Sequence, residues 1–402
     1  MTDIAAVLVN GDPLDFEDVE YDIRVTHARD SIKSPPEAST AQVIIRGPVG
    51  VELEVADELR IGAYSGVCRF RGTITDLNVD TLSTTPPTTV TTVTAIGFLA
   101  KLGYLTTGED PYPKEKVRAR VDRVLTDSGL DYLNAATNDL ELKSNNDPGV
   151  NTKRDYLETL AEWSGATFFD DCRGRIIFED YGNRGVAGNA GIWENLPEPW
   201  SFYTTAWSTF PANNAAEHLP GDAIAWAPNW TKNVQTLIND LEVEYKNQAI
   251  IQLADQGSIT QYGRRRYDLV TELESNSDAT ARATEILAAQ ANPLWDLGRI
   301  SILMDRLSTE QRDAALALLS GTRIIIDDLP AGGPYLQYQG IVEGWAETYT
   351  PGSHVLTLSL SDPRYSYQVV TWGEIDAAIT WGDVDLTIQW YNVVVNDDLI
   401  GA

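Results

Sequence analysis

Residues 241–265, LEVEYKNQAIIQLADQGSITQYGRR, carry the periodicity on which the assignment of this chain rests. Leu241, Val243 and Tyr245 alternate with Glu242, Glu244 and Lys246, a period of two that puts apolar side chains on one face of a strand and charges on the other. Asp255, Gln256 and Gly257 supply turn chemistry, Ser258 and Ile259 open a second extended run, and Tyr262-Gly263 marks a reversal before Arg265, Tyr267 and Leu269. The set Asp255, Ser258, Tyr262, Gly263 and Arg265 reads as a structural turn motif, because glycine tolerates positive φ and a guanidinium can tie a turn to an acid or a carbonyl. Nothing in the stretch has the pattern of a catalytic loop.

Toward the carboxy terminus, Ser277 and Asp278 are expected to cap a helix whose Ala279, Ala283, Ile286, Leu287 and Gln290 share one face, with Pro293 just past its end. Ile300, Ile302 and Met304 alternate as a strand. Ser308-Thr309-Glu310-Gln311 is a capping box before a second helix, which Gly321 is expected to terminate. Strands are expected at Arg323 to Ile326, Leu336 to Trp345 and Val355 to Leu360.

Toward the amino terminus, residues 1 to 104 read as β throughout, with strands at Ile4 to Val9, Val19 to Val25, Ala41 to Ile45, Leu59 to Tyr64, Val67 to Leu77 and Thr88 to Ile96. Short strands at this spacing suggest a small barrel or sandwich. Residues 105 to 190 change character. Pro113 suits a first helical turn and Gly129 stops that helix; Thr152 and Gly165 bracket a second; Ala166 to Phe169 and Arg175 to Phe178 form a hairpin. From Gly182 to about Gln235 the chain is rich in Gly, Asn, Pro and Trp, and extended segments crossing back to the first strand set are expected.

The run Asp255-x-x-Ser258-Ile259-x-x-Tyr262-Gly263-x-Arg265, a helix ending at Asn292-Pro293, then Ile341-Val342-Glu343-Gly344 and Leu356-Thr357-Leu358-Ser359-Leu360 resemble, in that order, the minor tail or baseplate hub proteins of long-tailed bacteriophages, of the type with actinobacterial hosts. Phe70-Arg71-Gly72-Thr73-Ile74 and Thr94-Ala95-Ile96-Gly97-Phe98 look like the first barrel of that family. The resemblance implies a mainly β fold with α+β insertions: a tube-type barrel at 1–104, completed by 191–240, an α+β insertion at 105–190, and a second barrel at 241–362 with two helices within 278–320. It implies a homotrimeric ring joining a sixfold tail tube to a threefold tip around a DNA exit channel. The expected partners are the distal tail protein, other minor tail proteins and a tape measure protein in the lumen. The expected place is the virion tail tip, after assembly in the host cytoplasm.

Residues 363–402 contain a nine-residue repeat, with Trp372, Trp381 and Trp390 each followed three and four residues on by Ile375-Asp376 or Val384-Asp385 in the first two copies. Nine residues at about 100° each place successive indoles on opposite sides of a helix, and an odd spacing flips them in a strand. Each repeat is therefore expected to be a short bent unit that seats its own Trp in its own pocket, on this chain or a neighbouring one. Against Arg364 stand six acids, Glu374, Asp376, Asp383, Asp385, Asp397 and Asp398.

The 402 residues suffice for two to four domains. With 30 Lys+Arg against 59 Asp+Glu, the net charge is −29. Such a surface repels nucleic acid, which argues against specific DNA binding; it suits a wall past which DNA slides, and equally an acidic surface that simply keeps a protein in solution. Cys68 and Cys172 stand far apart and in no metal-binding spacing, so neither a disulfide framework nor a zinc site is indicated. No apolar run approaches the ~20 residues of a membrane span, and the amino terminus lacks a signal-peptide pattern. His27, His218 and His354 are too scattered for a metal motif or a triad, and no cofactor is implied.

Two other function classes draw on parts of the sequence: a sugar-binding attachment module using Trp193 to Trp230, and a cell-wall hydrolase using paired acids such as Glu179-Asp180 or Asp170-Asp171. Among 59 acids, adjacency carries little information, and a non-enzymatic role is expected.

Overall fold

A computed structural model describes residues 6–363, except 15–19, 33, 48–51, 64–66, 85–86, 108–109, 146–150, 182–216, 226–228, 247 and 330. The protein is mainly β, built on one large curled sheet of twelve strands with α+β additions. Across the sheet the strands run Glu217–Pro220, Arg323–Asp327, Tyr338–Thr350, Glu20–Ala28, Thr40–Arg46, Pro87–Gly97, Cys68–Thr84, Glu58–Gly62, Ala6–Val9 and Asp12–Pro13. Ser353–Ser361 and then Arg299–Leu303 branch from Tyr338–Thr350. All pairs are antiparallel except Glu217–Pro220 with Arg323–Asp327.

Alternation sets which face goes inward. Ala41, Val43 and Ile45 are buried while Thr40 and Arg46 are exposed, and the row Tyr349, Ile23, Val43, Val93 and Leu77 lies in register across five strands. Each aliphatic side chain fully buried in such a row contributes roughly 1.5–3 kcal/mol. A single apolar core joins Val7, Val43 and Phe70 from the amino-terminal strands to Ile300, Ile324 and Leu356 from the carboxy-terminal ones.

The two strand sets expected as separate barrels are continuous, and the strand Tyr338–Thr350 joins them. Its first residues pair with Arg323–Asp327, while Gly344 to Tyr349 pair with Glu20–Ala28. The register against Ser353–Ser361 shifts between Val342 and Gly344, at the bulge where the strand changes partner. A Cβ on Gly344 would lie 2.5 Å from the carbonyl oxygens of both His27 and Arg29, so the backbones approach here only because the residue is glycine.

A second core gathers Val117–Thr126, Lys153–Ser164 and Asn276–Gln290, the hairpin Ala166–Asp170 and Ile176–Asp180, and a three-stranded sheet ordered Ala249–Ala254, Asp240–Tyr245, Arg266–Val270. The 241–269 stretch thus differs from expectation. Leu241, Val243 and Leu269 pack with Ala279, Ala283 and Ile286 in this core and do not join the strands of 299–361. Period two reports that a face is buried, not what covers it.

Local signals met mixed outcomes. Thr152 caps Lys153–Ser164 by accepting from Asp155 N, and Gly165 ends it at φ 67°. The capping box at Ser308 and Gln311 is complete, although that helix stops at Leu316, before Gly321. Asn276–Gln290 is capped by Ser275 rather than Ser277 or Asp278. Pro113 precedes the helix that begins at Val117. Ser258 and Ile259 lie in the helix Gln256–Tyr262, not in an extended run, because the Asp255 side chain caps it. Glu217–Pro220 extends the carboxy-terminal strands, where a return to the amino-terminal set was expected. No helix among the described residues is long and apolar enough to cross a membrane.

Candidate functional site

The residues singled out at 255–265 converge on Asn239, which is fully buried. Its Nδ2 donates to Ser258 Oγ at 3.0 Å and to the Gly263 carbonyl at 2.8 Å, and its Oδ1 accepts from Arg265 N at 2.6 Å. Its own carbonyl accepts from Asp255 N at 2.9 Å. Asp255 Oδ1 accepts from Ser258 N at 2.8 Å, Ser258 Oγ donates to the Ala291 carbonyl, and Gly263 takes φ 78°. Tyr262 is half-buried at the end of the helix. Arg265 holds the turn through its backbone, while the side chain expected to reach an acid is exposed; Arg264 pairs with Asp240 instead, at 3.4 Å. One amide thus fastens a helix, a turn and a strand start.

The inner face of the large sheet carries buried charge. Arg69 and Glu347, both fully buried, form a two-pronged pair at 2.9 and 3.0 Å. The Arg69 guanidinium lies 3.8 Å from the centroid of the Trp345 ring, and Tyr349 Oη donates to Glu347 at 2.8 Å. His27 Nε2 meets the Arg69 carbonyl at 2.6 Å, its ring 4.3 Å from that of Trp345. Burial alone would raise the Glu347 carboxyl, but Arg69 and His354 hold it down to about 2. Burial lowers His27 against the pull of Asp170. Arg29 pairs with Glu343 at 2.8 Å beside the Gly344 bulge, where Ser320 and Ser361 also bond to Glu343.

The second core holds its own buried guanidinium. Arg120 donates to Glu115 at 2.6 Å, Tyr156 Oη at 2.6 Å, Glu272 at 3.2 Å and the carbonyls of Pro113 and Lys143. Glu272 comes from the stretch after Arg266–Val270, so Arg120 binds distant parts of the chain together.

The paired acids at 170–171 and 179–180 are buried. Asp170 accepts from Ser39 N and Oγ at 3.1 and 2.8 Å, and Asp171 is ion-paired with Arg175 at 2.7 Å. Asp180 accepts from the backbone of Asn138 at 2.9 Å and from Thr137, and Glu179 is buried against Gly321. A cleft of about 210 Å³ near Gln290, Asn292 and Ser361 has a single carboxylate, Asp296, among its described lining. Glycoside hydrolysis by paired carboxylates would need two. No group of three or more His, Cys, Asp or Glu among the described residues could hold a metal ion.

Trp230 packs edge-on against Tyr335 and Tyr338 at 5.6 and 5.3 Å, and Trp345 is core, so these indoles are occupied. Trp193, Trp200, Trp207 and Trp226, with Trp372, Trp381 and Trp390, lie outside the described residues. Sequence reasoning missed Arg69, Glu347 and Asn239. Parity could have found Glu347, which falls in step with Trp345 and Tyr349; Asn239 carries no local signal.

No family model and no curated protein matches the chain. Solved structures do. The 43 kDa tail protein of prophage MuSo2 from Shewanella oneidensis aligns with TM-score 0.61 at 11% identity, over 90% of this chain and 99% of that one. A tail protein from Neisseria meningitidis gives TM-score 0.60 at 11% identity, over 90% and 97%. An E. coli component of the type VI secretion system, described as structurally similar to tail proteins of bacteriophage T4, gives 0.51 at 13% identity, over 90% and 78%. Over nine-tenths of its length, this chain has the fold of phage tail proteins.

Proposed function

We propose that the protein is a structural tail hub, three copies of which form a ring at the distal end of a phage tail. The ring joins the sixfold tail tube to the threefold tip and surrounds the DNA exit channel. The observation that carries this reading is the fold match over 90% of this chain and 99% of a prophage tail protein. Two features support it. From Asp76 to Thr84 the strand Cys68–Thr84 is paired on one side only among the described residues, an edge that a neighbouring copy would cover. A net charge of −29 leaves DNA free to slide. The distal tail protein and other minor tail proteins flank the ring, a tape measure protein occupies its lumen before DNA release, and assembly precedes release from the host cytoplasm.

A particle image, together with the mass of the protein released from tails, tests this. Three copies around the tip axis are expected; a single copy per particle would overturn the reading. Trp372, Trp381 and Trp390 are assigned to docking on a neighbouring chain. Removing residues 371–402 is expected to impair tail assembly, and unchanged assembly and stability would remove that assignment.

A further inference from the structure

Cys68 and Cys172, 104 positions apart in the sequence, meet where the large sheet touches the second core. The Cys68 thiol donates to the Cys172 carbonyl at 2.8 Å, and the two side chains lie close enough to shift each other's acidity. Both are free and half-buried. Cys68 opens the strand Cys68–Thr84, and Cys172 sits in the turn between Ala166–Asp170 and Ile176–Asp180.

That turn is held in place without the cysteines. Asp171 Oδ1 accepts from Arg173 N at 3.0 Å and Arg175 N at 2.8 Å. Arg71, from the strand of Cys68, donates to the Arg173 carbonyl at 3.2 Å. Gly174, at φ 82°, lies against the Phe98 ring, where a Cβ would come within 2.2 Å. The Cys68 sulfur already touches the backbone of Cys172, so rotation of the two side chains on a fixed turn and a fixed strand is the motion that would bring sulfur to sulfur.

We propose that Cys68 and Cys172 form a reversible dithiol–disulfide pair that staples the α+β core to the sheet when a small-molecule disulfide is present. Cys68 attacks first: interaction with Cys172 brings its thiol below the usual range, whereas Cys172 is raised by the same interaction and by burial. The Cys68 thiolate displaces one small thiolate and forms a mixed disulfide. Cys172 then displaces the second, so two protons and two electrons leave the protein and two small thiols are produced. The chemistry is independent of the hub reading. Its use rests on that reading: a particle assembled reduced would be stapled on reaching an oxidising medium.

The purified full chain, reduced and desalted, is incubated with oxidised glutathione. Free thiols titrated after denaturation should fall from two to none, a digest should contain the Cys68 and Cys172 peptides joined, and Tm should rise by roughly 5 °C. Cys172→Ser and Cys68→Ser should each lose the joined peptide and the Tm gain. Persistence of both thiols, two separate glutathione adducts, or cross-linked dimers in place of the internal bond would overturn the proposal. None of these readouts depends on assembly, so their failure leaves the hub reading standing.

Discussion

Glu347 stays ionised inside the sheet because Arg69, Tyr349 and His354 replace its hydration. Its folded pKa of about 2 lies below the ordinary 4.5, so the unfolded chain binds its proton first as pH falls. The stabilisation is present above about pH 4.5 and lost as pH drops through 2, and it is worth ~3 kcal/mol. Urea midpoints between pH 6 and 2 should show the loss. Glu347→Gln should flatten that part of the profile and cost ~3–5 kcal/mol at pH 7, since it leaves Arg69 uncompensated; an unchanged acid slope would assign the effect to other carboxylates. Asn239→Ala removes partners from Ser258, Gly263 and Arg265 together. A loss of ~2–4 kcal/mol in denaturant titration is expected, and a loss under ~1 kcal/mol would mean water replaces the amide.

At the scale of elements, the strand Tyr338–Thr350 matters most, because it serves two sets of partners on either side of one bulge. Gly344→Ala forces a methyl group against the carbonyls of His27 and Arg29, backbone atoms with no rotamer to yield. Overpacking of this kind costs ~1–3 kcal/mol or more, and the strand Glu20–Ala28 should lose hydrogen-exchange protection first. Wild-type protection in that strand would show that the backbones relax. Thr152→Ala tests a local feature for contrast. Loss of its bond to Asp155 N should cost ~1 kcal/mol, without disturbing the large sheet.

At the scale of the whole molecule, the sheet and the second core meet at Asp170, which accepts from Ser39 N, Ser39 Oγ and Leu99 N. Asp170→Ala should loosen this seam while both cores stay folded. Hydrogen exchange should then rise at Ser39 to Ala41 and Gly97 to Leu99 more than at Val121 or Val243, and a uniform rise would instead mean global destabilisation. The continuous sheet bears on the proposed ring: with the two strand sets joined through one strand, each copy would bring both to the ring together.

Strands and helix ends were legible in the sequence because they depend on near neighbours. The alternation at Ala41 to Ile45, the cap at Thr152, the positive-φ stop at Gly165 and the box at Ser308 each need only a few adjacent residues. The same locality explains the failure at Ser258, where turn chemistry and helix capping by Asp255 draw on the same residue types. The chain order alone also carried the blocks that resemble minor tail or baseplate hub proteins, and the fold comparisons agree at the coarser level of a phage tail protein fold. Partnership was decided only in three dimensions. That Leu241 and Val243 face the helix Asn276–Gln290, that Arg69 finds Glu347, and that Cys68 meets Cys172 are outcomes of long-range packing. Periodicity states which side of an element is buried, while the identity of what covers it depends on the whole chain closing at once.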